Sequence, residues 1–265
     1  LISDIRGFTP LCETQHPAQI TELLKRHFAE MAPIIAAAGG TIDPMINYTS
    51  QYWQIYQSIY DGLLAFKHTS GAAAFEIVPD LAEALPVASN DGKTLTFKLR
   101  QGIKFSNGQP LTTKDVVASF ERIFKVSSPT SGTFYAGIVG ADACLKAPAD
   151  CSLKEGVIGD EATGTMTINL VAADPEFFFK LAVPHAVILP ADAPAKDVGT
   201  EPIAGTGAYK VAAYDPNTQL KLVRNPEFKE WSVDAQPDGF VDEVHYDFGL
   251  TEEAGITAIQ NGQAD

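Results

Sequence analysis

Leu95-Thr-Phe-Lys-Leu-Arg-Gln-Gly-Ile-Lys-Phe-Ser-Asn-Gly-Gln-Pro-Leu-Thr-Thr-Lys-Asp-Val-Val-Ala-Ser-Phe-Glu-Arg-Ile123 changes its hydrophobic period part-way along. Leu95, Phe97 and Leu99 alternate with Thr96, Lys98 and Arg100, the period of two expected of a strand with one buried face. Gly102 to Gly108 reads as a second strand closed by an Asn-Gly turn. Thr112-Thr-Lys-Asp115 places a hydroxyl three residues ahead of a carboxylate, a helix-start pattern. Val116, Val117, Phe120, Ile123 and Phe124 then recur at helical spacing. The run predicts an α+β unit in which the turn and the helix start set where strand hands over to helix.

On its N-terminal side, Asn90-Asp-Gly92 predicts a hairpin turn. Phe75-Glu-Ile-Val-Pro-Asp-Leu-Ala-Glu-Ala-Leu85 reads as an extended piece running into a short helix. Further back, Tyr48, Tyr52, Trp53, Tyr56 and Tyr60 crowd together, and Ile55 and Ile59 predict a helix ending near Asp61-Gly62. Aromatics at such spacing either form core or line a ligand cleft. On the C-terminal side, Gly205-Thr-Gly207 lacks the spacing and the Lys-Ser/Thr of a phosphate loop, and it leads into a strand. It is read as a tight turn. Leu220 to Arg224 and Asp242 to Tyr246 read as further strands, and Ala254 to Gly262 as a helix.

The chain of 265 residues is 45% hydrophobic and 20% charged, enough to bury a sizeable core in one large domain or two small ones. Its formal net charge of -14 argues against a nucleic-acid partner, since an acidic surface repels phosphate. No apolar run reaches the ~18 residues a membrane span needs. His16, His27, His68, His185 and His245 show no metal-ligand spacing, and no Gly-x-Ser-x-Gly elbow occurs. Asp160-Glu161 reads as a solvated pair rather than an acid/base dyad. Of the three cysteines, Cys144 and Cys151 lie in one polar stretch. They are expected to form a disulfide, implying an oxidising compartment, with two free surface thiols as the alternative.

The first residues have a different texture. Ser3-Asp-Ile-Arg-Gly-Phe-Thr9, an amphipathic helix, then Gly39-Gly-Thr-Ile-Asp43 resemble the start of a class III adenylate/guanylate cyclase domain. The resemblance implies that Asp4 is one of two carboxylates holding Mg²⁺ or Mn²⁺ on a nucleotide. The second would fall at Tyr48, after Asn47, and a purine-reading Lys at Pro44. A neutral phenol cannot replace a carboxylate, so residues 1–43 are expected to be a cyclase relic, Asp4 non-functional and the chain no enzyme. No other cofactor is implied. Gly39 to Asp43 suit both this pattern and the one that follows.

From Ile42 to Asp265 the chain resembles family 5 extracellular solute-binding proteins, the peptide-binding components of ABC importers. Two motifs carry the resemblance: the Leu95 to Ile123 run, and Pro202-Ile-Ala-Gly-Thr-Gly-Ala-Tyr-Lys-Val211 followed by Leu220-Lys-Leu-Val-Arg-Asn-Pro-Glu-Phe228 and Trp231. The resemblance implies an α/β fold with an α+β inserted lobe, an incomplete two-lobed periplasmic-binding-protein-like architecture. It implies a main lobe of residues 44–69 and 199–265, an inserted lobe of 70–198, and a solute in the hinged cleft between them. Tyr135, Tyr48, Ser50, Trp53 and Gly207 are its candidate contacts. The implied partners are a peptide or other small solute and an importer permease, and the implied location is extracellular or periplasmic, membrane-associated in the intact protein. The chain starts at Leu1 without a Met or signal peptide and stops at Asp265. It is therefore expected to be a fragment that binds weakly or not at all, the alternatives being a cyclase-linked ligand-sensing module or a class III cyclase fragment making cyclic nucleotide.

Overall fold

In chain order, the computed structural model describes residues 40–249 and 251–263. The cyclase-like residues up to Gly39, with Asp4, lie outside the described residues. Of the residues shared by both patterns, Thr41, Ile42 and Asp43 are buried. They are packed with the chain that follows: the Ile42 N–H donates to the Gly199 carbonyl at 2.8 Å, and Asp43 pairs with Arg122.

Helix α1 (Ser50–Tyr56) is shorter than the aromatic spacing predicts. The carbonyls of Ser58 and Ile59 are taken by the N–H groups of Tyr209 (3.0 Å) and Gly207 (2.9 Å) from far along the chain, so the segment leaves the helical path. Strands β1 (Leu64–Phe66) and β2 (Ile77–Pro79) form a two-stranded antiparallel sheet. No helix follows β2. The N–H groups of Leu81 and Ala82 go to Gly62 and Leu63, and that of Glu83 to Lys98, so helical bonding gives way to packing against these neighbours.

Strands β3 (Val87–Ser89) and β4 (Thr94–Lys98) form the expected hairpin. Asn90 and Asp91 both take φ 53° and Gly92 φ 78°, the left-handed backbone this turn demands. Leu95 and Phe97 on β4 are buried. The segment from Gly102 to Gly108 is a loop rather than a strand. It makes a single bridge, Lys104 to Pro110, because Phe105 N–H turns back to Gln109 and Ser106 N–H bonds to Gly205.

Helix α2 (Thr113–Lys125) starts as the sequence predicts: the Thr112 N–H and hydroxyl both donate to the Asp115 carboxylate at 2.7 Å. It buries Val116, Phe120, Ile123 and Phe124. Short helices α3 (Ser131–Phe134) and α4 (Ala141–Lys146) lead to β5 (Val157–Asp160) and β6 (Thr165–Asn169). These join the hairpin in an antiparallel sheet of order β3-β4-β6-β5. Asp160 caps its own turn by accepting from Thr163, and Glu161 pairs with Lys114 at 2.8 Å, so the two carboxylates form no dyad. Helix α5 (Phe177–Leu181) precedes the third antiparallel sheet, β7 (Tyr209–Asp215), β8 (Gln219–Arg224) and β9 (Glu243–Asp247). Helix α6 (Glu252–Gln260) follows. No helix among the described residues is long and apolar enough to cross a membrane.

Cys144 and Cys151 are disulfide-bonded, with Cα atoms 4.3 Å apart, and both are buried rather than at the surface. Closing so short a loop contributes about 2.5 kcal/mol by restricting the unfolded chain. The Cys144→Ser/Cys151→Ser variant is expected to lose about that much in urea unfolding. Alkylation of the unreduced protein should leave both positions unlabelled, and rapid labelling of both would contradict the bond.

Candidate functional site

Asn47 sets the entrance to α1. Its amide donates to the Thr41 carbonyl at 2.7 Å, and its side-chain oxygen accepts from the N–H and hydroxyl of Thr49. That turn places Tyr48 and Trp53 edge to face, with ring centroids 5.3 Å apart. A third ring comes from far along the chain. His185, in the single 3₁₀ turn Pro184–Ala186, lies 5.0 Å from Tyr48 and 5.6 Å from Trp53. His185 is fully buried, and burial lowers its pKa to about 4, so the imidazole is neutral near pH 7. Neither imidazole nitrogen, nor the indole Nε1 of Trp53, has a hydrogen-bond partner among the described residues. The cluster therefore holds unused hydrogen-bonding capacity behind aromatic faces.

Tyr135 lies beside this cluster. Its ring stacks edge-on against Phe120 and Phe134, and its hydroxyl donates to the Lys180 carbonyl at 2.8 Å. Burial first, and the neighbouring Tyr48 second, push its pKa far above the usual phenol value. Tyr135 is fully buried, so its phenol serves packing in this conformation. Ser50 is exposed at the start of α1, and its hydroxyl reaches the side chain of Gln51. Gly207 lies apart, against the backbone of Ser58 and Ile59, where an added Cβ would sit 2.5 Å from the Ser58 carbonyl oxygen. The structure thus gathers Tyr48 and Trp53 around His185 and sets Tyr135 near Tyr48, and Gly207 serves a close backbone approach. His185 carried no local signal, because its partners lie more than 130 residues away.

A second polar centre lies under β1. Asp61 accepts from the Thr206 hydroxyl and the Gln236 amide, each at 2.5 Å. Asp80 accepts from the Trp231 indole at 3.0 Å. Burial pushes Asp61 up to about 6. Asp80 is raised well above the carboxylate range by burial and by the Asp61 charge. A carboxyl with a higher pKa folded than unfolded favours the folded state at low pH, an advantage lost as pH rises through the folded value. Asp80→Asn keeps an acceptor for Trp231 and removes the charge. Relative to the native chain it is expected to gain stability where the native Asp80 is charged, and to lose that gain as pH falls through its raised folded pKa toward the ordinary 3.8. Urea unfolding at several pH values would show this; a pH-independent difference would refute it. No group of three or more side chains suited to a metal occurs among the described residues.

The model of "Bacterial extracellular solute-binding proteins, family 5 Middle" matches residues 76–265. The chain belongs to this family. It is a family of binding proteins, not of enzymes. Protein XP55 of Streptomyces lividans is 30% identical over 197 residues, covering 73% of this chain and 32% of its own length. Di/tripeptide-binding protein 2 of Pseudomonas aeruginosa (strain UCBPP-PA14) is 28% identical over 216 residues, 75% of this chain and 38% of that protein. The solved structure titled "Clavulanic acid biosynthesis oligopeptide binding protein 2" superposes with a TM-score of 0.73 at 27% identity, over 85% of this chain and 41% of that one. The fold is the mixed α/β fold of periplasmic binding proteins. The chain spans about a third to two-fifths of the length of these relatives. The comparisons lend no support to a cyclase domain at residues 1–43, and the family match starts beyond them.

Proposed function

We propose that this chain is the part of an ABC-importer solute-binding protein that supplies one wall of a peptide-binding cleft. The observation that carries the reading is the family match over residues 76–265, joined by relatives named for dipeptide, tripeptide and oligopeptide binding. The main lobe comprises residues 44–69 and 199–265, and the inserted lobe residues 70–198. Tyr48, Trp53 and Ser50 face the solute from the main lobe and Tyr135 supports the wall from the inserted one. Aromatic faces with few free rotors hold an extended peptide at small entropic loss. The protein acts outside the cytoplasmic membrane and passes the solute to a permease, and the net charge of -14 disfavours nucleic acid.

A thermal-shift screen with di- to pentapeptides tests this. A ligand at a hundredfold excess over its Kd stabilises the folded state by about 2.7 kcal/mol, which raises Tm by several degrees. Stabilisation by peptides and its loss in Trp53→Ala would support the reading. Stabilisation by a nucleoside triphosphate with Mg²⁺, and by no peptide, would overturn it.

A further inference from the structure

Asp61 and Asp80 are 3% and 2% exposed, and both line one cavity of about 40 Å³ with Gln57, Tyr60 and His68. That is room for only a water molecule or two. The partners of the two carboxyl groups are neutral: Thr206 and Gln236 for Asp61, the Trp231 indole and the Gly62 N–H for Asp80. Lys67, just past β1, is taken by Asp234 and Glu76. Arg100 bonds the Asp80 main chain, Nε to the carbonyl oxygen at 2.7 Å, and among the described residues no ion pair reaches either carboxyl.

The other groups around the pair bring little relief. Burial holds His68 below its usual range, so it is neutral at pH 7, and burial raises the phenols of Tyr56 and Tyr60. The pull of the Arg100 guanidinium on Asp80 is weaker than the push of burial and of the Asp61 charge. A second negative charge would stand in a dry site beside the first with no paired cation. Two carboxyl groups so placed release their protons in separate steps that belong to the pair.

We propose that Asp61 and Asp80 hold one proton between them at neutral pH, and that this proton locks the joint between β1–β2 and residues 206–236. The joint is long-range: Thr206 is 145 residues from Asp61, and Trp231 is 151 from Asp80. It also adjoins the candidate site, since the Ile188 N–H, three residues on from His185, donates to the Asp61 carbonyl at 2.8 Å. A proton held more tightly in the folded chain than in the unfolded one favours folding at low pH. The joint is therefore tight in acid and neutral solution and loosens as alkali removes the proton.

The test is infrared spectroscopy of the 265-residue chain in heavy water, reading the carbonyl stretch of a protonated carboxyl. Ordinary carboxyl groups, with pKa of about 4, are ionised at pH 7. The native chain is expected to show one protonated carboxyl there, lost only at alkaline pH. Asp80→Asn should lose most of the band at pH 7. Asp61→Asn should move the pH at which the band disappears down by about one unit or more, because the neighbouring charge is gone. Absence of the band in the native chain at pH 7 overturns the proposal, as does its survival in Asp61→Asn/Asp80→Asn. An unchanged midpoint in Asp61→Asn overturns the sharing. Circular dichroism identifies a variant that fails to fold, and the native titration decides without it. Trp231 reports the joint, because its indole bonds Asp80 at 3.0 Å. In a Trp53→Phe background it is the one tryptophan left. Its emission is expected to shift over the interval in which the band disappears, and to hold steady there once Asp80→Asn is added. A band that disappears while Trp231 emission stays fixed overturns the lock.

Discussion

Arg122→Ala is expected to destabilise the protein by about 3–5 kcal/mol, the cost of stranding a buried carboxylate. Arg122 and Asp43 meet in a two-pronged contact, Nη1 to Oδ1 at 2.9 Å and Nη2 to Oδ2 at 2.5 Å, with side chains 4% and 0% exposed. The remaining guanidinium donors reach the carbonyls of Pro194 (2.8 Å) and Lys196 (3.0 Å). Asp43 also accepts from the N–H of Met45 at 3.1 Å. One pair thus ties the segment before α1, the middle of the chain and the segment after α5 together. Removing the arginine leaves Asp43 charged and dry and orphans two carbonyls. Asp43→Ala should cost a similar amount, and the double alanine variant much less than the sum of the two. An apolar replacement of both, Asp43→Leu/Arg122→Met, should recover part of the loss. Urea unfolding measures all four; a loss below about 1 kcal/mol for Arg122→Ala would place the pair in the class of weak surface bridges.

Gly205→Ala is expected to cost about 3 kcal/mol or more, by overpacking against atoms that cannot yield. A Cβ there would sit 2.0 Å from the Ile59 carbonyl oxygen and 2.7 Å from Tyr60 Cδ1. The same Ile59 oxygen accepts the Gly207 N–H at 2.9 Å, so moving it breaks the bond that ended α1. Gly207→Ala should act likewise through Ser58. Gly255→Ala is the control: it lies in α6, with open space where its Cβ would go and no positive φ. It should be neutral or stabilising by a few tenths of a kcal/mol, up to about 1. If Gly205→Ala proves as harmless as Gly255→Ala, the close approach between these two segments is wrong.

Strand β4 and helix α2 were legible because their patterns are local. Leu95 and Phe97 alternate, and Thr112 meets Asp115 three residues on. The Asn90-Asp91-Gly92 turn was legible for the same reason, since the residues that tolerate left-handed backbone stand where it is needed. The end of α1 was not, because Gly207 and Tyr209 take the Ser58 and Ile59 carbonyls from more than 140 residues away. Neither was the lack of a helix after Pro79. The candidate site divides the same way. The aromatic run from Tyr48 to Tyr60 announced itself, whereas His185 comes from a separate element and carries no motif.

Composition, hydrophobic period and turn residues by themselves determined an acidic chain of mixed strands and helices, and two of its stretches resemble the motifs of a solute-binding family. These signals act between neighbours in sequence, where backbone sterics and alternating burial leave a readable pattern. Tertiary structure alone decided that Asp43 belongs with Arg122, that Gly205 and Gly207 exist for backbone contact, and that His185 completes an aromatic cluster. Each of these depends on which distant surfaces are brought within a few ångströms, where burial and hydrogen-bond competition outweigh local preference.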